Sequence, residues 1–254
     1  MGIWMNIRDL FLKSGREDLR KPRFLAYDTV PIQIPNTFLF KDSSESDFKK
    51  VIEFSEYEIL DFLFSKVDFK EIIFEELGLP KNNIKVLQQV KQPLISNSSL
   101  KPGDLDLVLY RKDAIKKAIA IEAKCIKAKT LPNGEVVLNK EKNVTKGISQ
   151  VNEYLQFGFH RTFLLIILLD DGQYIKGFNQ FFRNTDLSGS TKLFNQNILQ
   201  NLHRDVGLLY LKVNQITGKS ILQSGKISLL TAKMAKKKKQ KKTTTNAISS
   251  LLLD

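Results

Sequence analysis

The spacing of hydrophobic and polar residues changes several times along the chain, and each change marks an element. Over residues 46–79, apolar side chains recur at Val51, Ile52, Tyr57, Ile59, Leu60, Leu63 and Phe64, the three-and-four spacing of an amphipathic helix. A second helical start falls at Asp68, where Glu71 three residues on makes a capping box, and Gly78 with Pro80 ends that helix. Short β-like runs follow at 84–90, 105–111 and 118–126. The turn-rich SNSSLKPG separates the first two, and RKDAIKK joins the last two as a hairpin. Residues 127–145 read as a polar connection containing Pro132-Asn133-Gly134, residues 146–159 as a helix, and 162–169 as a buried strand. Residues 206–223 read as a hairpin turning near Thr217-Gly218. Residues 1–45, where Pro31 and Pro35 interrupt short apolar groups, read as an arm or edge strand.

The order helix, three strands, helix, strand predicts an α/β fold. The chain divides into an N-terminal arm at 1–45, a domain at 46–230 with C-terminal additions, and a Lys-rich tail at 231–254. Among the 254 residues, 40 Lys and Arg face 27 Asp and Glu, for a net charge of +13. The tail holds seven Lys and one Asp, hence +6 of that total, and its composition predicts a mobile segment; the remaining +7 lies on the body. Such a balance points to a polyanionic partner.

With 42% hydrophobic and 26% charged residues, the composition is that of a globular chain. The one cysteine, Cys125, excludes an intramolecular disulfide and a multi-cysteine zinc site, which suits a reducing compartment. Charges at Arg8 and Asp9 interrupt any secretory-type start, and Asn6 breaks the myristoylation pattern. The longest apolar run, residues 163–169, falls far short of the roughly 20 residues of a membrane helix. The expectation is a cytoplasmic protein without membrane contact.

Candidate chemistry concentrates in KPGDLDLVLYRKDAIKKAIAIEAKCIK. Because residues i and i+2 of a strand share a face, Leu105, Leu107 and Leu109 take one side of the first strand, and Asp104, Asp106 and Val108 the other. On the next strand Ile119, Ile121 and Ala123 oppose Ala120, Glu122 and Lys124. If the strands pair as a hairpin, Asp106, Glu122 and Lys124 converge among small or apolar neighbours. Two carboxylates offer hard oxygen ligands to Mg²⁺ or Mn²⁺, and Lys124 beside them could orient a water or neutralise charge on a phosphorane. Asp104 shares the face of Asp106 and is either a further metal ligand or a turn acid.

These residues resemble the PD-(D/E)XK nuclease signature: Asp106 on one strand, then Glu122-Ala123-Lys124 on the next. Pro102-Gly103-Asp104-Leu105-Asp106 looks like the family's lead-in to its metal-binding Asp. Gln150 and Tyr154, four apart on one helix face, fit the Q-x-x-x-Y motif of the RecB-like branch. The match spans about residues 68–170. It implies a restriction-endonuclease-like core, a mixed sheet flanked by helices, that cuts DNA with Mg²⁺ or Mn²⁺, with RNA left open as a substrate. It also implies that Asp106 and Glu122 bind the metal, that Lys124 positions the attacking water, and that Gln150 and Tyr154 orient the lysine or the backbone near the cut. The family often adds an acid from the helix before the first strand. Glu58, Glu71, Glu75 and Glu76 are candidates, and Glu75 is preferred as a further metal ligand.

A bland reading stands beside this one, in which Asp106, Glu122 and Lys124 are a solvent-facing acid and a surface ion pair. An alternative function on the same fold is a nucleic-acid-binding module or nuclease subunit whose catalysis is lost or conditional. Oligomeric form stays open, because a homodimer would cut both strands of a duplex, whereas a monomer would nick or act within a larger complex.

Overall fold

The computed structural model describes residues 36–42, 51–90, 105–133, 136–139, 142–171, 199–216 and 223–251. In chain order the elements are β1 (Asn36–Asp42), α1 (Glu56–Ser65), α2 (Val67–Glu76), β2 (Ile84–Val90), β3 (Leu105–Arg111), β4 (Ile119–Thr130), β5 (Val136–Asn139), α3 (Lys142–Phe157), β6 (Arg161–Asp170), β7 (Gly207–Ile216), β8 (Gln223–Lys233) and α4 (Lys242–Ser250). They form an α/β structure around one open, mixed sheet in the order β1-β8-β7-β6-β4-β3-β2, with β5 attached to the far part of β4. β4, β6 and β7 run parallel, and the remaining pairs are antiparallel.

Helices cover both faces, and this explains why the central strands are so apolar: all ten residues of β6 are buried, as are the first eight of β4. On one face α1 and α2 pack Ile59, Leu63, Phe69 and Ile73 against Ile121, Ile167 and Leu211. On the other, α3 and α4 pack Val144, Ile148, Val151 and Ile248 against Ala120, Leu164, Ile166, Leu168 and Tyr210.

The period-based reading places β2 and β3 at the observed bounds, and it needs correction elsewhere for identifiable reasons. The capping box belongs to Ser55 and Glu58 at the start of α1. α2 begins at Val67 with Lys66 as its cap residue and no side-chain capping bond, while Glu71 instead pairs with Lys81 at 2.9 Å. β4 continues to Thr130, and a hairpin to β5 occupies part of the stretch read as a polar connection. Part of the N-terminal arm is an edge strand: β1 pairs along its whole length with β8.

The segment expected to be a mobile tail is laid against the body. β8 runs to Lys233, α4 buries Thr244 and Ile248, and Ala235 and Gln240 are buried between them. Gln240 is one side-chain anchor. Its Oε1 accepts from the Ala118 N–H at 2.9 Å, and its Nε2 donates to the Ile115 carbonyl and the Thr245 hydroxyl, each at 3.0 Å. Composition points to mobility because the Lys run contains little to bury, yet a few spaced contacts suffice to hold it.

Replacing Gln240 by Ala leaves a buried N–H and a carbonyl without partners, each costing about 1–3 kcal/mol. Amide exchange should accelerate across residues 235–250 while β6 stays protected. Unchanged exchange in that segment would show that Gln240 is not what fastens it.

Candidate active site

The site is a fork in the sheet. β3 pairs with β4 at Leu109↔Ile119, Val108↔Ala120 and Leu107↔Ile121, and the ladder ends there; β5 joins the same side of β4 only at Lys127. Across residues 122–126, β4 therefore keeps its ladder to β6 but pairs with no strand on the other side among the described residues. Buried backbone N–H groups require acceptors, and two carboxylates supply them. Asp106 Oδ2 accepts from the Ala123 N–H at 2.8 Å, and Glu56 Oε2 accepts from the Cys125 N–H at 3.1 Å.

An interruption of the ladder accompanies this role of Asp106. β2 and β3 pair at Gln88↔Leu107 and again at Val90↔Leu105, but Gln89 and Asp106 between them form no pair, and Gln89 takes a left-handed φ of 48°. The expected alternation of β3 breaks at this point. Leu107 and Leu109 face α1 and α2, whereas Leu105 joins the cluster beneath α3.

Lys124 lies at the centre of three carboxylates. Its Nζ is 2.6 Å from Glu122 Oε1, 3.3 Å from Glu56 Oε1 and 3.8 Å from Asp106 Oδ2. The Glu122 contact is a close ion pair without hydrogen-bond alignment, whereas the Tyr154 hydroxyl donates to Glu122 Oε2. Side-chain exposure rises from 1% at Glu122 through 8% at Lys124 and 18% at Asp106 to 32% at Glu56, so the cluster opens toward Asp106 and Glu56. Gln150 lies one turn before Tyr154 on α3, and its buried Oε1 has no hydrogen-bond partner among the described residues.

Asp106, Glu122, Lys124 and Tyr154 are thus brought together as the sequence suggests, with Gln150 a turn away. Asp104 lies outside the described residues. Glu75, preferred from the sequence as a further metal ligand, is exposed on α2, whereas Glu56, the first residue of α1, reaches the fork. Helical periodicity alone does not identify Glu56. The locating signal is the Ser55-Glu58 capping box, which puts Glu56 at the helix start, where an acid also suits the helix dipole.

Gly147 is a second residue that the sequence patterns do not single out. A Cβ at this position of α3 would lie 2.5 Å from Lys124 Cγ, so the glycine lets the helix rest directly on the lysine stem. The sequence signal is a glycine inside a helical pattern, which is costly unless a close approach needs it.

Electrostatics define what the cluster lacks. Burial, and then the neighbouring Glu122 charge, raise the Asp106 carboxyl to about 8, despite the counteracting Lys124 and the Ala123 N–H. Burial also raises Glu122, against Lys124 and the Tyr154 hydroxyl. Burial alone would lower Lys124, but Glu122, Asp106 and Glu56 outweigh it and leave the ammonium pKa raised. Three carboxylates share one ammonium, and this surplus of hard oxygen charge suits a divalent cation. Among the described residues, no three acidic, His or Cys side chains form a ready-made metal cage. Asp106, Glu122 and Glu56 are oxygen donors, and the point they surround is occupied by the Lys124 ammonium.

Two outcomes test this arrangement. Gly147→Ala should lower the melting temperature although alanine favours helix by about 1 kcal/mol; a rise would mean that the Lys124 stem yields freely. An acid whose folded-state pKa lies above its unfolded value holds its proton more tightly when native. Its contribution is therefore fully present below the ordinary value of 3.8 and is lost as pH rises through about 8. In EDTA the melting temperature should accordingly fall between roughly pH 5 and 8, and Asp106→Asn, which keeps an acceptor for the Ala123 N–H, should flatten that fall. An equal slope in the variant would exclude Asp106 as its source.

No protein-family model matches this sequence, and no curated protein or solved structure is significantly similar to it.

Proposed function

We propose that the chain is a metal-dependent nuclease of the PD-(D/E)XK kind, hydrolysing phosphodiester bonds of DNA, on a restriction-endonuclease-like core. The observation that carries this reading is the gathering of Glu56, Asp106 and Glu122 around Lys124 at the fork of β4. A structural ion pair needs one acid for one base, whereas this cluster has a surplus of acids in a largely buried place.

Asp106, Glu122 and Glu56 would hold Mg²⁺ or Mn²⁺. Such an ion polarises a phosphoryl oxygen and makes water a nucleophile near neutral pH. Lys124, gripped by Glu122 and seated on Gly147, donates from a fixed place to the attacking water or to charge growing on the phosphorane. Water attacks phosphorus in line and the P–O bond to the leaving strand breaks. The Tyr154 hydroxyl fixes Glu122 through Oε2 and leaves Oε1 toward Lys124. The Oε1 of Gln150 is a buried acceptor without a hydrogen-bond partner among the described residues, so a donor would have to reach it as the site opens. The net charge of +13 supplies grip on a phosphate backbone independent of sequence.

Purified protein should cut plasmid and linear DNA with Mg²⁺ or Mn²⁺ and not with EDTA. Glu122→Gln and Lys124→Met should each lower the rate by more than about 100-fold, and Glu75→Gln should leave it unchanged. Absence of cleavage by the unaltered protein, or equal rates in the Glu122 variant, would sink the proposal.

A further inference from the structure

We propose that the ribbon of residues 234–242, together with Lys116 and Lys117, is a preformed binding site for the phosphodiester backbone of a nucleic acid. It rests on the nucleic-acid reading above and extends it to a surface separate from the carboxylate cluster.

The ribbon is fixed by its backbone, which leaves most of its side chains to solvent. The Lys236 N–H donates to the Asp205 carbonyl at 3.0 Å, the Lys238 N–H to the His160 carbonyl at 2.8 Å, and the Lys241 N–H to the Gly158 carbonyl at 3.0 Å. His160 Nδ1 lies 2.6 Å from the Lys238 carbonyl oxygen. The Lys241 stem crosses Gly158, where a Cβ would meet its Cγ at 2.5 Å, and its Nζ donates to the Gln156 carbonyl at 2.7 Å. Gln240 ties the ribbon to the short turn Ile115–Lys117, and so places Lys116 and Lys117 beside it.

The exposed charge is nearly all of one sign. Asp205 offsets Lys238 at 2.7 Å and, at 4.0 Å, Lys236. Lys116, Lys117, Lys237, Lys239 and Lys242 are exposed, and no acid pairs with them among the described residues. Lys242 opens α4 and Lys241 is its cap residue, the helix end where the backbone dipole disfavours cations. Clustered like charges on a fixed backbone cost stability unless an anion binds, and a fixed backbone loses little entropy when one does.

The chemistry favours a nucleic acid over a lipid surface. Stable attachment to a bilayer needs an apolar face or a lipid chain in addition to a basic patch. α4 uses Ile248 in the protein's own core, and Met234 is the one large apolar side chain exposed along the ribbon. The ribbon also lies a few phosphate steps from the carboxylate cluster. Gln240 meets the chain at Ala118, the residue before β4, four residues or roughly 13 Å from Glu122, a length of about four steps of 3.4 Å on one strand of DNA.

The test measures binding of a short DNA duplex, the same duplex as RNA, and phosphatidylserine vesicles, in EDTA over a range of salt. Lys237→Gln/Lys239→Gln/Lys242→Gln should bind both duplexes more weakly. The slope of log K against log salt should shrink by about 0.9 for each phosphate no longer neutralised, up to about 2.7. If the triple variant misfolds, Lys237→Gln or Lys239→Gln alone should each remove about 0.9. Metal-dependent cleavage by the unaltered protein with the slope unchanged in the variants overturns the ribbon site and leaves the nuclease reading standing. A reduced slope without any cleavage upholds the ribbon site and removes catalysis. Tighter binding to vesicles than to either duplex, or no binding to the duplexes, overturns the proposal.

Discussion

The fork in the sheet is the constraint on which the site depends. A strand buried in the middle of a sheet has N–H groups pointing to both sides, and among the described residues β4 has no strand partner on one side between Leu107↔Ile121 and Lys127↔Asn139. Water could satisfy the Ala123 and Cys125 N–H groups at an open edge, but here Asp106 and Glu56 do so at 2.8 and 3.1 Å. A backbone requirement thus fixes two carboxylates that would otherwise repel each other. Glu122 and Lys124 follow without further provision, because they alternate with Ala123 and Cys125 along the same strand.

The cluster is stabilised by its connections and destabilised by its charge. Removing an ion-pair partner from a buried site is strongly unfavourable, so Lys124 cannot be lost cheaply from among Glu56, Asp106 and Glu122. Equally, one ammonium does not balance three acids, and burial, with the Glu122 charge beside it, leaves Asp106 inclined to stay protonated. Tyr154 and Gly147, both from α3, hold Glu122 and Lys124 from one side, and Glu56 from α1 holds Lys124 from the other. Packing of the two helical layers and geometry of the cluster are therefore the same problem, since a shift of either helix moves a charged group.

Much of this is legible in the sequence because it depends on local period. Strands β2 and β3, the pairing of β3 with the strand that carries Glu122 and Lys124, and the helix bearing Tyr154 all follow from alternation and helical spacing. Glu56 is not legible in the same way, since its role comes from contact with a strand residue 69 positions away. Leu105 defeats the alternation rule because the ladder is interrupted between Gln89 and Asp106, an irregularity that neither residue type announces. The Lys-rich segment misleads for another reason. Its composition describes the exposed side chains, whereas its order depends on Ala235, Gln240 and Ile248, a sparse minority within the run.

The basic surface and the acidic cluster are largely independent. At physiological salt the screening length is about 8 Å, shorter than the roughly 13 Å of chain between the ribbon's anchor at Ala118 and Glu122. Lysines of the ribbon therefore do little through solvent to neutralise the carboxylates. Among the described residues the cation at short range is Lys124, with Nζ within 3.8 Å of all three. Added surface charge can raise the local concentration of a polyanion but cannot correct the charge balance at the fork. That correction has to come from a group at contact distance. The net charge of +13 therefore says nothing of the local balance, which is set by Lys124 and the three acids around it.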